Sequence, residues 1–409
     1  MNGATIEDRC RSCRGSDLTL VISLGETPLA NSLLGADQLD REEKRFPLDL
    51  VFCNDCALAQ ISVTVPPAEL FSQYLYLSSF SETMLSHASQ LVERLIGERK
   101  LGSQSLVAEI ASNDGYLLRN YVAAGVPSFG IEPAQNIAEV ARSRGVPTVA
   151  EFFGLALAEQ LAADGRRADV IHAHNVLAHV ADLNGVVAGM AALLKPGGIV
   201  VVEAPYVGDL IEKTEFDTIY HEHLCYFSLS ALIELFERHG LGIEHVERLP
   251  IHGGSLRIFA SHHGVGDESV RALLEEEGRA GMRSIGYYSH FADRVRRLRD
   301  ELRLELQRLR PEGRIAAYGA SAKGSTLLNY IGVGSETLDF IVDRSTVKQG
   351  RFAPGTRLPI LAPDQLLERM PAYVLLLVWN FADEVLRQQQ EYRDAGGRFI
   401  IPVPAVKIV

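Results

Sequence analysis

The residues best suited to catalysis lie close together in the run DTIYHEHLCYFS, residues 217–228. Within it, one tyrosine precedes two histidines that flank a glutamate: Tyr220, His221, Glu222 and His223. Neutral histidine can take a proton near pH 7, a carboxylate can fix its tautomer, and a tyrosine hydroxyl can donate to a developing negative charge. An extended run would put His221 and His223 on one face, whereas a turn would let Glu222 and His223 converge with Tyr220. The pattern is not H-E-x-x-H, so it does not predict a catalytic zinc.

Two C-x-x-C pairs form a second group of chemically active residues, all within the first sixty positions: Cys10, Cys13, Cys53 and Cys56. In a reducing compartment, this spacing predicts four thiolates around one tetrahedral Zn²⁺ ion rather than disulfides. Four thiolates leave no open coordination position, so the predicted zinc is structural, with a redox-active pair as the alternative. The fifth cysteine, Cys225, is expected to be a small packed residue.

A polar turn follows the apolar segment SLVAEIA, and the residues of interest there are Glu109, Ala111, Asn113, Asp114 and Gly115. Polar groups at the carboxyl end of a parallel strand are where open α/β sheets bind ligands. The turn has a single glycine and is not G-x-G-x-x-G, so it favours a ligand without phosphate, such as S-adenosylmethionine, over a dinucleotide. A plain capped turn between strand and helix is the alternative.

Two later segments add polar groups at the same predicted sheet edge. The segment FGIE ends at Glu132, with Pro133 next, at about the distance where such folds place an acid on ribose hydroxyls. The segment VIHAHN ends at Asn175. We therefore expect these three residues to complete a cofactor site.

Alternating elements must position these groups. From about residue 104 the chain repeats strand, turn and helix, which predicts a parallel, doubly wound α/β sheet. Two paired strands follow, IEHVERLP and GSLRIFASHH, and then a charged helical stretch at residues 267–310, expected to be a solvated bridging helix. A second α/β unit begins at Glu312, with the predicted strands RIAAYGAS, LDFIVDRS, YVLLLVWN and RFIIPV.

The composition is that of an ordinary globular chain. Its 409 residues are 47% hydrophobic and 22% charged, enough to bury a large core. The formal net charge of −12 argues against a nucleic-acid surface, and no apolar run is long enough to span a membrane. We see no signal peptide and expect a soluble, cytoplasmic protein with no nucleic-acid or membrane partner. The sequence leaves the oligomeric state open.

Several motifs together resemble one family. They are the two cysteine pairs and the segments PLANSLL, YLYLSSFSETM, EIASNDGYLL, EAPYVGDLIEKTEFDTIYHEHLCYFS, HGGSLR, YGASAKGSTLLNY and VDRSTVKQGRFAPGT. Over nearly its whole length the chain resembles the sugar C-methyltransferase family of deoxysugar biosynthesis. The resemblance implies an N-terminal zinc-binding domain, a central class I S-adenosylmethionine-dependent methyltransferase domain and a C-terminal Rossmann-like domain. We place these three α/β or zinc-binding units at residues 1–70, 71–300 and 301–409.

The resemblance also implies substrates and active-site residues. The implied methyl donor is S-adenosylmethionine, and the implied acceptor is a nucleotide-linked 4-keto-6-deoxysugar, usually dTDP-linked. Residue by residue, five positions of this chain match the family's active site: Tyr76, His179, Tyr220, Glu222 and His223.

Methylating a carbon next to a ketone needs a base for the α-proton and a hydrogen-bond donor for the enolate oxygen. We expect His223 to be the base, with Tyr220 and Tyr76 as hydrogen-bond donors. Glu222 would orient or tune them, and His179 would position the substrate or relay a proton. C3 is the expected carbon, with C5 as the alternative. Two further alternatives are an O- or N-methyltransferase and a non-catalytic zinc-ribbon protein that binds RNA.

Basic residues in the last unit suggest where the nucleotide binds. YGASAKGSTLLNY has the small residues of a phosphate-binding turn, with Lys323 and Ser325 opening a helix. DRSTVKQG adds Arg344 and Lys348, and HGGSLR adds Arg257 as a weaker candidate. We expect these residues to hold the phosphates of a sugar nucleotide, with solvated surface charge as the alternative for Arg344 and Lys348.

Overall fold

The computed structural model describes residues 3–66, 70, 78–80 and 82–409. The strands, in chain order, are β1 (Thr5–Ile6), β2 (Leu18–Pro28), β3 (Arg45–Cys53), β4 (Ala59–Ile61), β5 (Val63–Thr64), β6 (Val107–Ile110), β7 (Ser128–Ile131), β8 (Thr148–Val149), β9 (Ala168–His174), β10 (Leu194–Pro205), β11 (Cys225–Tyr226), β12 (Leu241–Leu249), β13 (Ser255–His262), β14 (Ile315–Tyr318), β15 (Ile341–Val342), β16 (Ile360–Leu361), β17 (Tyr373–Leu376), β18 (Arg398–Ile401) and β19 (Lys407–Ile408).

The α-helices that lie within the described residues are numbered in the same way. They are α1 (Glu82–Arg99), α2 (Leu118–Ala123), α3 (Gln135–Ser143), α4 (Leu155–Ala163), α5 (Leu183–Leu193), α6 (Val207–Glu212), α7 (Leu229–Glu237), α8 (Glu268–Ala280), α9 (Ile285–Tyr288), α10 (Phe291–Leu309), α11 (Ala322–Ile331), α12 (Gln365–Arg369), α13 (Ala382–Gln388) and α14 (Gln390–Asp394). Each of these helices is too short or too polar to span a bilayer.

The N-terminal unit is built on an antiparallel sheet with the strand order β11-β4-β3-β2. Strand β3 alternates along its length, with Phe46, Leu48, Leu50 and Phe52 buried on one face, as the period of two in a strand requires. The fourth strand, β11, comes from the distant run 217–228 and pairs antiparallel with β4. The most reactive run of the chain is therefore anchored to the cysteine-bearing unit.

The central unit is a seven-stranded sheet with the strand order β12-β13-β10-β9-β6-β7-β8. Strands β6 to β10 pair in parallel, while β13 is antiparallel to both β10 and β12. The predicted doubly wound parallel sheet and the two paired strands after it are confirmed. Because the parallel strands all point the same way, the turns after β6, β7, β9 and β10 meet at one edge.

The C-terminal unit is a six-stranded sheet with the strand order β16-β15-β14-β17-β18-β19. All neighbouring pairs are parallel except β18 and β19. The second predicted α/β unit is confirmed, and its turn after β14 opens helix α11, where the Ser321 side chain accepts a hydrogen bond from the Gly324 N–H.

The charged helix α10 corrects one expectation. The sequence predicts a solvated bridging helix here, but Phe291, Val295, Leu302 and Leu306 are buried, each at most 1% exposed. With Leu298 they recur at spacings of three to four and form a single apolar stripe between arginines and acids. The stripe packs into the main hydrophobic core, so α10 joins the units rather than merely bridging them through solvent.

Candidate active site

A cavity of about 860 Å³ lies where the three units meet. Its wall takes residues from the N-terminal unit, including Asn31, from the sheet edge of the central unit, and from the C-terminal unit, including Arg351. The residues predicted from the sequence that line it are Ala111, Asn113, Glu132, Pro133, Asn175, His179, Tyr220, Glu222, His223, Lys323 and Lys348. The structure thus brings together, around one cavity, residues predicted for the donor site, for catalysis and for phosphate binding.

Other predicted site residues do not contribute to this wall. They are Glu109, Asp114, Gly115, Ser325, Arg257 and Arg344. Tyr76 lies outside the described residues. The described residues among them are excluded from the wall by burial, by ion pairs or by exposure to solvent.

The turn after β6 has a strained backbone. Ala111 and Asn113 both adopt left-handed conformations, with φ of 51° and 50°, and Gly115 follows with φ of 76°. Left-handed residues other than glycine cost free energy and occur mostly at functional sites. Gly115 serves the turn itself, because a Cβ at this position would lie 2.8 Å from a methyl carbon of Val146. Gly115 therefore packs against Val146 and does not line the cavity.

Glu132 lies at the cavity wall with its carboxylate held in place. One oxygen accepts from the Asn113 N–H at 3.0 Å and the other from the Ala134 N–H at 2.9 Å. Burial raises the pKa of Glu132, and these two N–H groups oppose that rise. A fixed carboxylate beside a polar turn fits the ribose hydroxyls of a nucleoside. Phe152, which is 60% exposed, adds an aromatic surface to the same cavity.

Glu109 and Asp114 lie behind this wall. Glu109 is 1% exposed, and its burial together with the charges of Asp114, Glu132 and Glu203 raises its pKa well above the usual range. Asp114 pairs with the guanidinium of Arg144 at 2.6 Å. The two carboxyl groups therefore shape the turn, although the sequence placed them in contact with the cofactor.

The run 217–228 forms a turn at its centre, closed by the hydrogen bond from the His223 N–H to the Tyr220 carbonyl at 2.8 Å. The Thr218 carbonyl, which can only accept, lies 3.0 Å from His223 Nδ1, so Nδ1 carries the proton. In the neutral ring Nε2 is then an acceptor, and the Tyr220 hydroxyl donates to it across 2.6 Å. The turn thus makes Tyr220 and His223 an acid–base pair facing the cavity.

His221 and Glu222 take different directions from this turn. His221 is 1% exposed, donates from Nε2 to the Pro47 carbonyl at 3.1 Å, and is absent from the cavity wall. Glu222 lines the cavity, and both of its oxygens accept from the Asn31 amide, at 2.8 and 2.9 Å. Burial raises the pKa of Glu222 to about 7, while the charge of Lys348 acts to lower it. His221 is therefore structural, whereas Glu222 is available to a ligand.

His179 reaches the same space from the short helical turn after β9. Its ring meets the His223 ring edge-on, with the centroids 4.7 Å apart. Burial lowers the pKa of His179 to about 4, so the ring is neutral at physiological pH. A neutral imidazole beside the base can position a ligand without adding a competing positive charge.

The basic residues of the C-terminal unit separate into two groups. Lys323, Lys348 and Arg351 line the cavity, and Arg351 was not singled out from the sequence. Arg344 instead faces solvent, with its side chain 59% exposed and 3.4 Å from Glu384. Ser325 is buried inside α11, where the Asn329 amide donates to its carbonyl.

Arg257 belongs to a buried ion network on the seven-stranded sheet. It donates to Glu203 at 2.7 Å and to Glu247 at 2.8 Å, and Glu203 also pairs with His174 at 3.1 Å. Burial would raise the pKa of Glu203, but its contacts with His174, His87 and Arg257 outweigh burial and hold the pKa well below the usual range. The prediction that Arg257 meets the substrate is corrected, because its charge is already neutralised.

The four cysteines of the C-x-x-C pairs converge as predicted. One ligand atom from each of Cys10, Cys13, Cys53 and Cys56 lies within 4.8 Å of the others. Four sulfurs at this distance match a closed, tetrahedral Zn²⁺ site, with no position left for substrate. Cys225 is buried in β11 and stands apart from this group.

Three family models match the chain in the order of its structural units. A zinc binding domain model matches residues 10–71, a methyltransferase domain model matches residues 80–246, and a C-methyltransferase C-terminal domain model matches residues 250–404. Fold, cysteine site and cavity thus define a zinc-binding, S-adenosylmethionine-dependent C-methyltransferase. This class excludes the alternative of a non-catalytic RNA-binding protein.

Similarity to one relative identifies the family to which the chain belongs. The C-methyltransferase NovU of Streptomyces niveus is 38% identical over 406 residues, which cover 98% of this chain and 97% of NovU. The chain therefore belongs to the sugar C-methyltransferase family, and the resemblance drawn from its motifs is confirmed.

Solved structures resemble parts of the chain. The magnesium protoporphyrin IX methyltransferase of Synechocystis PCC 6803 is 13% identical, with a TM-score of 0.33. The match covers 43% of this chain and 78% of the chain of that enzyme. An S-adenosylmethionine-dependent methyltransferase of Clostridium acetobutylicum is also 13% identical, with a TM-score of 0.37, and covers 44% of this chain and 92% of its own.

Proposed function

We propose that the protein methylates a carbon of a nucleotide-linked 4-keto-6-deoxysugar, with a dTDP-linked sugar as acceptor and C3 as the methylated carbon. The observation that carries this proposal is the Tyr220–His223 pair at the cavity wall. A carbon acceptor has no lone pair and must first lose its α-proton, so it requires such a base. Transfer to oxygen or nitrogen would not require an enolate.

S-adenosylmethionine, when bound, supplies an electrophilic methyl group. We assign its site to the strained turn after β6, with Asn113 and Asn175 at the wall and Glu132 accepting from the ribose hydroxyls. Phe152 would cover the adenine ring. The site fits a nucleoside without phosphates, because acidic groups surround this turn and the described basic residues of the cavity lie on the C-terminal unit.

The proton transfer uses Tyr220 and His223 as one unit. The Tyr220 oxygen takes the α-proton of the sugar while its own proton moves to Nε2 of His223. The electron pair of the broken C–H bond becomes the enolate, and the imidazolium keeps its hydrogen bond to the Thr218 carbonyl. In this proposal His223 is the final proton acceptor, and Tyr220 lies between it and the substrate.

Two neighbouring groups support this step. Glu222, with a pKa raised by burial to about 7, can donate to the ketone oxygen when it is protonated and so stabilise the enolate. His179, held edge-on against His223, would position the sugar ring. The assignment of Tyr76 as a further donor remains a proposal, because this residue lies outside the described residues.

The size and charge of the cavity support a sugar nucleotide as acceptor. A volume of about 860 Å³ is at the upper end for small-molecule sites and has room for a donor and an acceptor together. Lys348 and Arg351 line the part contributed by the C-terminal unit, where a diphosphate would find positive charge.

A product analysis tests this function. The protein is incubated with S-adenosylmethionine and a panel of nucleotide-linked 4-keto-6-deoxysugars in deuterated water, and the sugars are examined by mass spectrometry and NMR. We expect a new methyl group on C3, and deuterium at C3 when the donor is left out. Deuterium and methyl at C5 would replace C3 by C5, while a methyl on oxygen or nitrogen would overturn carbon transfer.

A further inference from the structure

A second polar cluster lies where helix α11 meets residues 215–217, just before the turn at residues 220–223. Within the described part of the chain, Lys323 Nζ, Glu215 Oε1 and Asp217 Oδ1 are all buried and none has a hydrogen-bond partner. The other oxygen of Asp217 accepts from Trp379 Nε1 at 2.6 Å, and Lys323 Nζ lies 4.9 Å from the centre of the Trp379 rings. Buried polar atoms normally have partners, so three such atoms in one cluster need an explanation.

Part of the cluster faces the cavity and part of it lies behind the cavity wall. Lys323 and Glu215 belong to the cavity wall, whereas Asp217 and Trp379 do not. Asp217 is fully buried and, through its bond to Trp379, is fixed behind the lysine. A group that enters the cavity can therefore supply the hydrogen bonds that Lys323 Nζ and Glu215 Oε1 lack, and whose absence costs free energy.

The charges of the cluster argue against a phosphate there. Lys323 feels the carboxyl groups of both Asp217 and Glu215, so its positive charge is at least balanced. A diphosphate placed on Lys323 would also face Glu215. Arg351 is different, because this exposed side chain at the cavity wall forms no ion pair with any residue that the structure describes.

We propose that Lys323 and Glu215 form a subsite for hydroxyl groups of the substrate's sugar, and that the diphosphate lies on Arg351 instead. A hydroxyl group both donates and accepts, so it can pair with an ammonium and a carboxyl group together. Burial raises the pKa of Glu215 to about 7, so near neutral pH its carboxyl can accept or donate. The inference rests on the proposed function, because it assumes a nucleotide-linked sugar.

Binding isotherms separate the two roles. Calorimetry on the full chain would use two probes, thymidine diphosphate and dTDP-glucose, which share the diphosphate and differ in the sugar. For Lys323→Met and Glu215→Gln we expect the affinity for dTDP-glucose to fall about tenfold, while that for thymidine diphosphate changes less than about twofold. For the matched control, Arg351→Gln, both affinities should fall by the same factor. S-adenosylhomocysteine binding serves as the measure of folding in each variant.

Two results would overturn the subsite. An equal loss of affinity for both probes in Lys323→Met would make Lys323 a phosphate ligand. Unchanged affinity for both probes in both variants would mean that the cluster has only a structural role. Glu215→Gln keeps the shape of the side chain, so it decides the question even if Lys323→Met does not fold. Failure of the unmodified protein to bind either nucleotide would count against the proposed function rather than against the subsite alone.

Discussion

At the Tyr220–His223 pair, a single backbone carbonyl decides where the protons are. The Thr218 oxygen accepts from His223 Nδ1, and this leaves Nε2 as the only basic atom of the ring. Because the Tyr220 hydroxyl already donates to Nε2, we propose that the histidine acts through the phenol. The same carbonyl also accepts from the Tyr226 hydroxyl at 3.3 Å, so two donors meet at this oxygen.

Replacement of the base is the first prediction. His223→Asn should lower kcat about 1,000-fold, because the proton from Tyr220 loses its acceptor, while the affinity for S-adenosylhomocysteine stays within about twofold. The matched control is His221→Asn, two residues away and outside the cavity wall. That variant should lower the melting temperature and leave kcat per folded molecule nearly unchanged. Comparable kcat values for His223→Asn and the unmodified protein would refute the assignment.

The pH dependence of stability follows from Glu222. Its carboxyl binds a proton more tightly in the folded chain, with a pKa of about 7 against a usual value of 4.5. Its contribution to stability is therefore present below about pH 4.5 and is lost as the pH rises through about 7.

Glu222→Gln removes this titration. Relative to the variant, the unmodified protein should lose roughly 1–3 kcal/mol of unfolding free energy between pH 5 and pH 8. Urea unfolding at the two pH values measures the difference. The exposed Glu26→Gln should show no such change, and parallel pH profiles for Glu222→Gln and the unmodified protein would contradict the assignment.

Sequence alone reaches some of these residues and not others. The contact between Tyr220 and His223 is within reach of the sequence, because residue type and a three-residue turn are local information. The sequence predicts Tyr220 only as a hydrogen-bond donor, and its proposed place between substrate and base depends on the geometry of the pair. Arg257 and Arg344 show the limit, because one cation is neutralised by Glu203 from another strand and the other simply faces solvent. Whether a charge is paired depends on contacts that the linear order does not reveal.

Among the elements, strand β11 connects the unit that bears the four clustered cysteines to the turn that holds Tyr220 and His223. It begins two residues after His223 and pairs with β4, which lies three residues beyond Cys56. We therefore expect disorder in the cysteine-bearing sheet to displace the turn that holds Tyr220 and His223. The turn after β6, where we propose that S-adenosylmethionine binds, belongs instead to the seven-stranded sheet.

Loss of the metal is the prediction at this scale. Removing zinc with a chelator, or by Cys53→Ala, should lower the melting temperature and reduce kcat about 100-fold, since a small displacement of catalytic groups has a large effect on rate. Binding of S-adenosylhomocysteine should persist. Cys225→Ala, on β11 itself, should retain one zinc by elemental analysis. Full activity in a zinc-free preparation would show that the two sites are independent.

Most elements could be predicted because they rest on local patterns. The strands around Glu109 and Glu132 are short, apolar and followed by turns, and they appear as expected. Helix α10 was misjudged because its apolar residues are diluted by arginines, which dominate its composition. Its burial depends on packing against other units, and periodicity alone did not reveal that.

In the whole molecule, the two end units touch each other as well as the central sheet. With the proposed boundaries near residues 70 and 300, Leu34 forms a β-bridge with Phe352, and the Gly355 N–H donates to the carboxylate of Glu43 at 2.8 and 3.1 Å. These partners lie more than 300 positions apart, so no local pattern predicts them. The contact holds the hairpin at residues 351–360, which carries Arg351 and is closed by the hydrogen bond from the Ile360 N–H to the Arg351 carbonyl.

A variant of this contact gives the prediction for the whole molecule. Glu43→Ala should weaken thymidine diphosphate binding about fivefold, because the hairpin loses a charge-assisted anchor, and should leave S-adenosylhomocysteine binding unchanged. The exposed neighbour variant Glu42→Ala is the control and should alter neither. Calorimetry with both ligands measures the effect, and a parallel loss of both affinities in Glu43→Ala would indicate general destabilisation instead.

The pairing of β11 with β4 also limits how such proteins can be recombined. A chimera that takes the cysteine-bearing unit from one relative and the methyltransferase unit from another would cut through a single sheet. The strand β11 lies far along the chain from β4, with Cys225 paired to Gln60, so its side chains and those of β4 would come from different parents.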